Sequence, residues 1–237
     1  MFSEEVKLIW NQILSEAQIL INQEPVLVSF YYSYILNHRD FTSALSYILS
    51  SKLGNNVVSS IFIRDIINNV YISNNAIVLS AIKDVQSIYH NYPEIKCYSI
   101  PFLYFKGFHA LQAYRVCHHL WNNQRQELAI YFQSCISAIF SVDIHPAVQI
   151  ENKVILDNAT GISISNATII RSNMSNFRST KLNNIKKDNF INYPIIRKEV
   201  FIGSGVKILG DIEIGSRSII SSGSIVLISV PPNSIVN

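Results

Sequence analysis

From Ile196 to Val226 an aliphatic residue stands at every sixth position: Ile196, Ile202, Ile208, Ile214, Ile220 and Val226. Four residues after each comes a small or branched side chain: Val200, Val206, Ile212, Ser218, Ser224 and Val230. An α-helix repeats every 3.6 residues and a strand every two, so a strict period of six belongs to neither. It fits a coil of three short flat sides, each six residues long and each turning one side chain inward. Such a coil stacks parallel strands around an aliphatic interior and needs small residues or unusual dihedrals at its corners. Gly203, Gly205, Gly210, Gly215 and Gly223, five of the eight glycines, fall in this segment, where such corners are expected. A run of hairpins would need period-two alternation and turn pairs such as Asn-Gly, and the segment has neither.

The same register stands upstream in Ile144, Ile150, Leu156, Ile162, Thr168 and Met174, with Val148, Val154 and Thr160 at the four-residue offset. Met174 and Ile196 are 22 residues apart, which is not a multiple of six. The spacing therefore predicts a loop excursion at about 175–195, a stretch rich in Asn and Lys (Asn183, Asn184, Lys186, Lys187, Asn189).

The first 140 residues read differently. Leu8, Ile9, Ile13, Ala17, Leu20 and Leu27 follow helical spacing, as do Phe41, Ala44, Leu45 and Leu49. Ser3 with Glu4, Glu5 and Lys7 suits a helix opening, and Pro25, Pro93 and Pro101 punctuate the region. Ala110, Leu111, Ala113, Tyr114, Cys117, Leu120 and Trp121 line one face of a further helix. The fold class is α+β, with an all-α domain over 1–140 followed by a parallel β-helix over 141–237.

Composition narrows the function. Of the 237 residues, 49% are hydrophobic and 15% charged, enough for a substantial core and unlike a disordered chain. A net charge of +3 is scattered, and Lys186-Lys187 reads as solvated loop, so no nucleic-acid surface is expected. The acidic start resembles no signal peptide, and the apolar stretches Val26–Leu36 and Leu128–Val142 are too short for a membrane span or interrupted by Gln133 and Ser134. Cys97, Cys117 and Cys135 have no metal-like spacing and read as reduced thiols, while His118-His119 lacks a carboxylate or Cys partner and reads as packing. A soluble cytoplasmic protein without a metal is expected.

Several segments carry a resemblance. The run Lys106-Gly107-Phe108-His109-Ala110-Leu111-Gln112-Ala113-Tyr114-Arg115 is similar to bacterial serine O-acetyltransferase, a family of the hexapeptide-repeat acyltransferases. So are Asp143-Ile144-His145-Pro146-Ala147, Leu156-Asp157, Ala159-Thr160-Gly161, Lys207-Ile208-Leu209-Gly210 and Glu213-Ile214-Gly215. The similarity runs from Ser43-Ala44-Leu45-Ser46-Tyr47 to Val230-Pro231-Pro232. It implies a left-handed coil, assembly as a homotrimer, and pairing of two trimers through the helical domains. It also implies acetyl transfer from acetyl-CoA, the co-substrate, to the L-serine hydroxyl, the first step towards cysteine. The active site would lie between adjacent coils, with the looped-out segment contributing. A serine hydroxyl is barely ionised at neutral pH, so its attack on a thioester calls for a general base, and the family uses a histidine oriented by an aspartate. Developing oxyanion charge would be met by donors such as backbone amides.

Residue by residue, the resemblance assigns the aspartate to Asp143, a substrate-binding carboxylate to Asp157, and cofactor-binding glycines to Gly203, Gly205 and Gly223. Where the family reads Asp-His-Ala-Thr-Gly, this chain reads Asp157-Asn158-Ala159-Thr160-Gly161, so Asn158 stands at the base position. An amide cannot accept a proton near neutral pH. The family's loop Arg-His-Pro is Asn192-Tyr193-Pro194 here, its Gly-Gly-Thr-Gly is Asn183-Asn184-Ile185-Lys186, and its substrate-contacting aspartate ahead of Pro93 is Tyr92. Two alanines beside the cofactor groove become Ser204 and Ser222. The chain stops at Asn237, where the family continues into a tail that docks on O-acetylserine sulfhydrylase, so docking by that route is not expected. The shortening also bears on feedback inhibition by cysteine, which reorganises the same end. The expected function is serine O-acetyltransferase with activity reduced or lost because Asn158 stands at the base position; the alternative is a catalytically inactive remnant or scaffold that keeps the fold and oligomer.

Overall fold

Helical spacing holds to Phe140 and gives way at Val142 to strands of two or three residues. The computed structural model describes residues 4–166, 168–174, 179–183 and 193–237. The chain divides into two compact units, Met1–Phe105 and Lys106–Asn237.

The first unit is helical: α1 (Glu4–Gln23), a 3₁₀ turn at Pro25–Leu27, α2 (Val28–Tyr31) running into a π-helical turn at Tyr32–Leu36, α3 (Phe41–Leu53), α4 (Ser60–Ser73), α5 (Asn75–Asn91) and α6 (Ser99–Tyr104). The inward stripe of α1 is Val6, Ile9, Trp10, Ile13 and Ala17, while Leu8 points away and is 63% exposed. Asp40 caps α3 reciprocally with Ser43: its Oδ1 accepts the Ser43 amide at 2.8 Å, and Ser43 Oγ accepts the Asp40 amide at 3.3 Å. Glu16 accepts the amides of Tyr98 and Ser99 at 3.0 and 2.7 Å, satisfying donors at the start of α6 that its own turn leaves open. Phe102 joins the core edge-on to Trp10 and tilted against Phe41, with ring centroids 6.2 and 5.1 Å apart.

The second unit begins with α7 (Lys106–Asn122) and α8 (Gln126–Phe140) and continues into the coil. Its strands are β1 (Val142–Ile144), β2 (Gln149–Ile150), β3 (Ile162–Ile164), β4 (Ile169–Ile170), β5 (Lys181–Asn183), β6 (Ile195–Ile196), β7 (Phe201–Ile202), β8 (Lys207–Leu209), β9 (Glu213–Ile214), β10 (Ile219–Ile220), β11 (Ile225–Val226) and β12 (Ile235–Val236). All pair in parallel, in three sheets of order β1-β3-β5-β8-β11, β2-β4-β6-β9 and β12-β10-β7. Ile196, Ile202, Ile208, Ile214, Ile220 and Val226 are all buried, as their period requires.

The upstream register differs from the six-residue reading. Ile144 pairs with Ile164 rather than Ile162, and Ile150 with Ile170, steps of 20 where later coils step by 18. Thr168 and Met174 therefore continue the Val148 and Val154 column instead of the Ile150 column. All these side chains are small enough and apolar enough to fill an inward position in either register. Further on, Leu182 pairs with Ile208 and Ile170 with Ile196, steps of 26, so eight extra residues enter between Leu182 and Ile195. The excursion thus begins after β5. Asn184, Ile185, Lys186, Lys187, Asn189 and Asn192 lie outside the described residues.

Corners stack as regularly as strands. Ser141, Gly161, Ser179, Gly205 and Gly223 all have φ between 52° and 80° and form one column leading into the sheet that begins with β1. Lys153, Asn173, Glu199 and Arg217 form a second, with φ of 58–60°. Left-handed backbone in non-glycine residues is costly, and it persists here because each corner is held by the coils beside it.

Candidate active site

Two residues more than a regular coil lie in the segment Ile155–Gly161, since Val154 bridges Met174 and Val142 pairs Ile162, both steps of 20. The chain absorbs them in two successive tight turns. The Ala159 amide donates to the Asp157 carbonyl at 2.5 Å and the Thr160 amide to the Asn158 carbonyl at 2.7 Å, with φ of 50° at Asn158 and 46° at Ala159. The bulge buries Ala159 and lifts Asn158 to the surface. Among the described residues neither the exposed Asn158 amide nor the half-buried Asp157 carboxylate has a hydrogen-bond partner in the protein. The amide of Gly161 closes the bulge onto the Ser141 carbonyl at 2.9 Å, two residues before Asp143.

Asp143 points outward from β1, and its Oδ1 accepts a hydrogen bond from Gln133 Nε2 of α8 at 2.7 Å. Gln133 was legible only as the polar residue breaking the apolar run of α8; nothing in its spacing marks it as a partner of Asp143. His145 follows on the same strand edge. Its Nδ1 accepts the Ala147 amide at 3.1 Å, so the neutral ring carries its hydrogen on Nε2. Burial pushes the imidazole down, Asp143 pushes it up, and the net shift is downward.

Helix α7 holds this corner. Lys106 Nζ donates to Thr160 Oγ1 at 2.6 Å, and Gly107 lies so close to Leu156 that a side chain there would overlap its carbonyl. Further along, Tyr114 donates its hydroxyl to the Val148 carbonyl, and buried Arg115 donates to the carbonyls of Ile150 and Glu151 at 3.1 and 3.0 Å. His118 Nδ1 donates to the Pro146 carbonyl at 2.7 Å. The motif Lys106–Arg115 thus clamps the first coil.

Below the bulge runs the corner column with Gly205 and Gly223. Gly203 allows close approach: a Cβ there would come within 2.5 Å of the Ser222 amide nitrogen and 2.8 Å of its Cα. Gly223 faces open space, with nothing within 4 Å of a Cβ position. Ser204 and Ser222 link the two corners, Ser222 Oγ accepting the Ser204 amide at 3.1 Å and the Ser204 carbonyl accepting the Gly223 amide at 2.8 Å. Asp143, Asp157, Asn158, Gly203, Gly205 and Gly223 therefore share one edge of the coil. Tyr193 is half-buried, the Asn183 carbonyl accepts the Gly210 amide at 3.0 Å, and Tyr92 belongs to the first unit, edge-on to Phe105. Among the described residues no three His, Cys, Asp or Glu side chains group as a metal site.

A three-sided parallel coil with this register and a glycine-lined edge beside a carboxylate defines a hexapeptide-repeat acyltransferase, and residues 193–227 match the bacterial transferase hexapeptide (six repeats) family. Residues 9–113 match the family described as serine acetyltransferase, N-terminal. The chain is 48% identical over 238 residues to the serine acetyltransferase of Buchnera aphidicola subsp. Baizongia pistaciae, covering 100% of this chain and 93% of that one. It belongs to the serine acetyltransferase family. A serine acetyltransferase solved in complex with CoA superposes with a TM-score of 0.93 at 40% identity, covering 97% of this chain and 96% of the other. Soybean serine acetyltransferase complexed with serine gives 0.94 at 36%, covering 99% and 97%. The coil is the left-handed parallel β-helix of these proteins.

Proposed function

We propose that this protein transfers the acetyl group of acetyl-CoA to the hydroxyl of L-serine, giving O-acetylserine and CoA. The observation that carries the proposal is the single coil edge bearing Asp143, Asp157, the bulge at Asn158 and the corner of Gly203, Gly205 and Gly223. Related proteins of the same fold were solved with CoA and with serine. The open backbone at Gly205 and Gly223 accommodates an extended cofactor, leading its thioester to the bulge. Asp157, with an unspent carboxylate, suits the ammonium of an amino acid. The serine oxygen attacks the thioester carbon as its proton passes to solvent, the tetrahedral oxyanion collapses with cleavage of the C–S bond, and the departing sulfur takes a proton from solvent so that CoA leaves as the thiol.

Asn158 contributes a hydrogen bond and no proton acceptor. General-base catalysis supplies about 10²- to 10⁴-fold, so turnover is slower by that order than with an imidazole there. Positioning alone still accelerates the reaction. Identity of 48% over the whole chain to a curated serine acetyltransferase favours this reading over an inactive remnant. The exposed apolar column Phe201–Ile219–Ile235, 38%, 42% and 68% accessible, supports packing of coils into a homotrimer, with two trimers pairing through their helical units. We place the activity in the cytoplasm; among the described residues no helix is long and apolar enough to cross a membrane. Light scattering tests the assembly, and thiol release from acetyl-CoA with and without L-serine tests the reaction.

A further inference from the structure

The outward faces of the three sheets differ in kind. One carries the apolar column Phe201–Ile219–Ile235. A second ends in Glu213, whose carboxylate accepts hydrogen bonds from Arg197 Nε and Nη2, each at 2.7 Å. The third runs Asp143–Ser163–Lys181–Lys207–Ile225 across β1, β3, β5, β8 and β11, on the sheet that carries Asp143.

Register makes Lys181 and Lys207 direct neighbours on adjacent strands, about 4.8 Å apart across the sheet, and both are exposed. Like charges directly opposite one another destabilise a sheet. Among the described residues neither ammonium has an ion pair or a hydrogen bond. The one carboxylate of the column, Asp143, is two strands or about 10 Å from Lys181 and is already held by Gln133. Lys106, a further amine at this edge, is engaged with Thr160. Two long, unspent amines thus stand side by side next to Ser163, whose hydroxyl has no protein partner among the described residues. An oxyanion seated between them would remove the repulsion and accept from both ammoniums.

We propose that Lys181 and Lys207 form a two-ammonium seat for an oxyanion of a bound substrate. The proposal rests on the acetyl-transfer reading, in which both substrates carry one: a carboxylate on L-serine, phosphates on acetyl-CoA. The seat lies on the face carrying Asp143 and beside the glycine corners, within reach of a ligand lying along that edge.

The test removes the charges and keeps side-chain length, with Lys181→Gln, Lys207→Gln and the double variant in the full chain. Binding of L-serine, CoA, dephospho-CoA and inorganic phosphate is measured by calorimetry, with thermal unfolding of each ligand-free protein alongside. The expected result is phosphate binding by the unaltered protein that the double variant loses, and about tenfold or greater weakening of one substrate. Weakened serine binding assigns the seat to the carboxylate; weakened CoA binding with dephospho-CoA unaffected assigns it to the 3′-phosphate, and equal weakening of both to the pyrophosphate. The ligand-free double variant should unfold at the same or a higher temperature. Equal binding of all four probes by wild type and double variant overturns the seat, as does loss of thermal stability in the ligand-free protein. If phosphate binding depends on the lysines while no serine-dependent turnover exists, the seat stands and the acetyl-transfer reading falls. The converse pattern removes the seat alone.

Discussion

Gly107→Ala probes whether α7 holds the bulge in its working position. A Cβ at residue 107 would lie 2.9 Å from the Leu156 carbonyl carbon and nearer still to its oxygen. Real Cβ contacts stay beyond 3.0 Å, and restoring that clearance to the oxygen takes a shift of more than 1 Å. The group in the way is backbone, so no rotamer change relieves it. Overpacking of this kind costs about 1–3 kcal/mol. For a protein of this size that is a fall of about 2–12 °C in the unfolding midpoint. The shift is delivered at Leu156, immediately before Asp157 and Asn158, and drags on the Lys106–Thr160 hydrogen bond. Displacing reacting groups by about 1 Å costs on the order of 10²-fold in rate. Differential scanning calorimetry and thiol release from acetyl-CoA read the two effects on the same preparation. A Gly107→Ala protein with unchanged midpoint and unchanged serine-dependent rate would refute the clamp.

Further changes have defined outcomes. Asn158→His places a residue type that tolerates left-handed backbone at φ 50°, so the fold should be unaffected. Its kcat should rise by about 10²-fold or more. The rate should then increase with pH as the imidazole loses its proton, a dependence lacking in the parent; a flat pH profile counts against a base at this position. Arg115→Met leaves the Ile150 and Glu151 carbonyls without their buried donors and should cost about 1–3 kcal/mol in urea unfolding. Glu151 is pushed up by burial but more strongly down by hydrogen bonds from Arg171 and Ser172, so its carboxyl lies below the ordinary 4.5. A depressed carboxylate stabilises the fold above its unfolded pKa and loses that contribution as pH falls through the folded value. The Glu151–Arg171 pair is about one-third exposed on each side, which limits the effect to under about 1 kcal/mol. The difference in thermal midpoint between wild type and Glu151→Gln should be present at pH 7 and vanish on acidification below about pH 4.

How far the molecule could be read in advance depended on what each residue does. The coil from Ile196 to Val226 was legible because every sixth inward side chain there is aliphatic, and a period of six has no other simple source. The slip at Ile155–Gly161 was not, because Ile162 and Ile164 are both aliphatic and both fill the interior. A period count cannot choose between them; backbone pairing does. The excursion showed itself as a misfit of spacing, yet its onset after Leu182 emerges only from the pairing of β5 with β8. Asp143 and Asn158 were found by resemblance, whereas the hydrogen bond from Gln133 needed α8 to be packed against β1. The same holds for Lys181 and Lys207, which are 26 residues apart in the chain and adjacent in the sheet.

This coil edge transfers acetyl groups to serine without an imidazole at residue 158. The most direct measurement is thiol release from acetyl-CoA by the folded protein at high enzyme concentration, with and without L-serine. A slow increment that requires serine is expected, and Asn158→His should raise it by about 10²-fold or more. No increment from a folded protein that binds CoA, before and after Asn158→His, would contradict it.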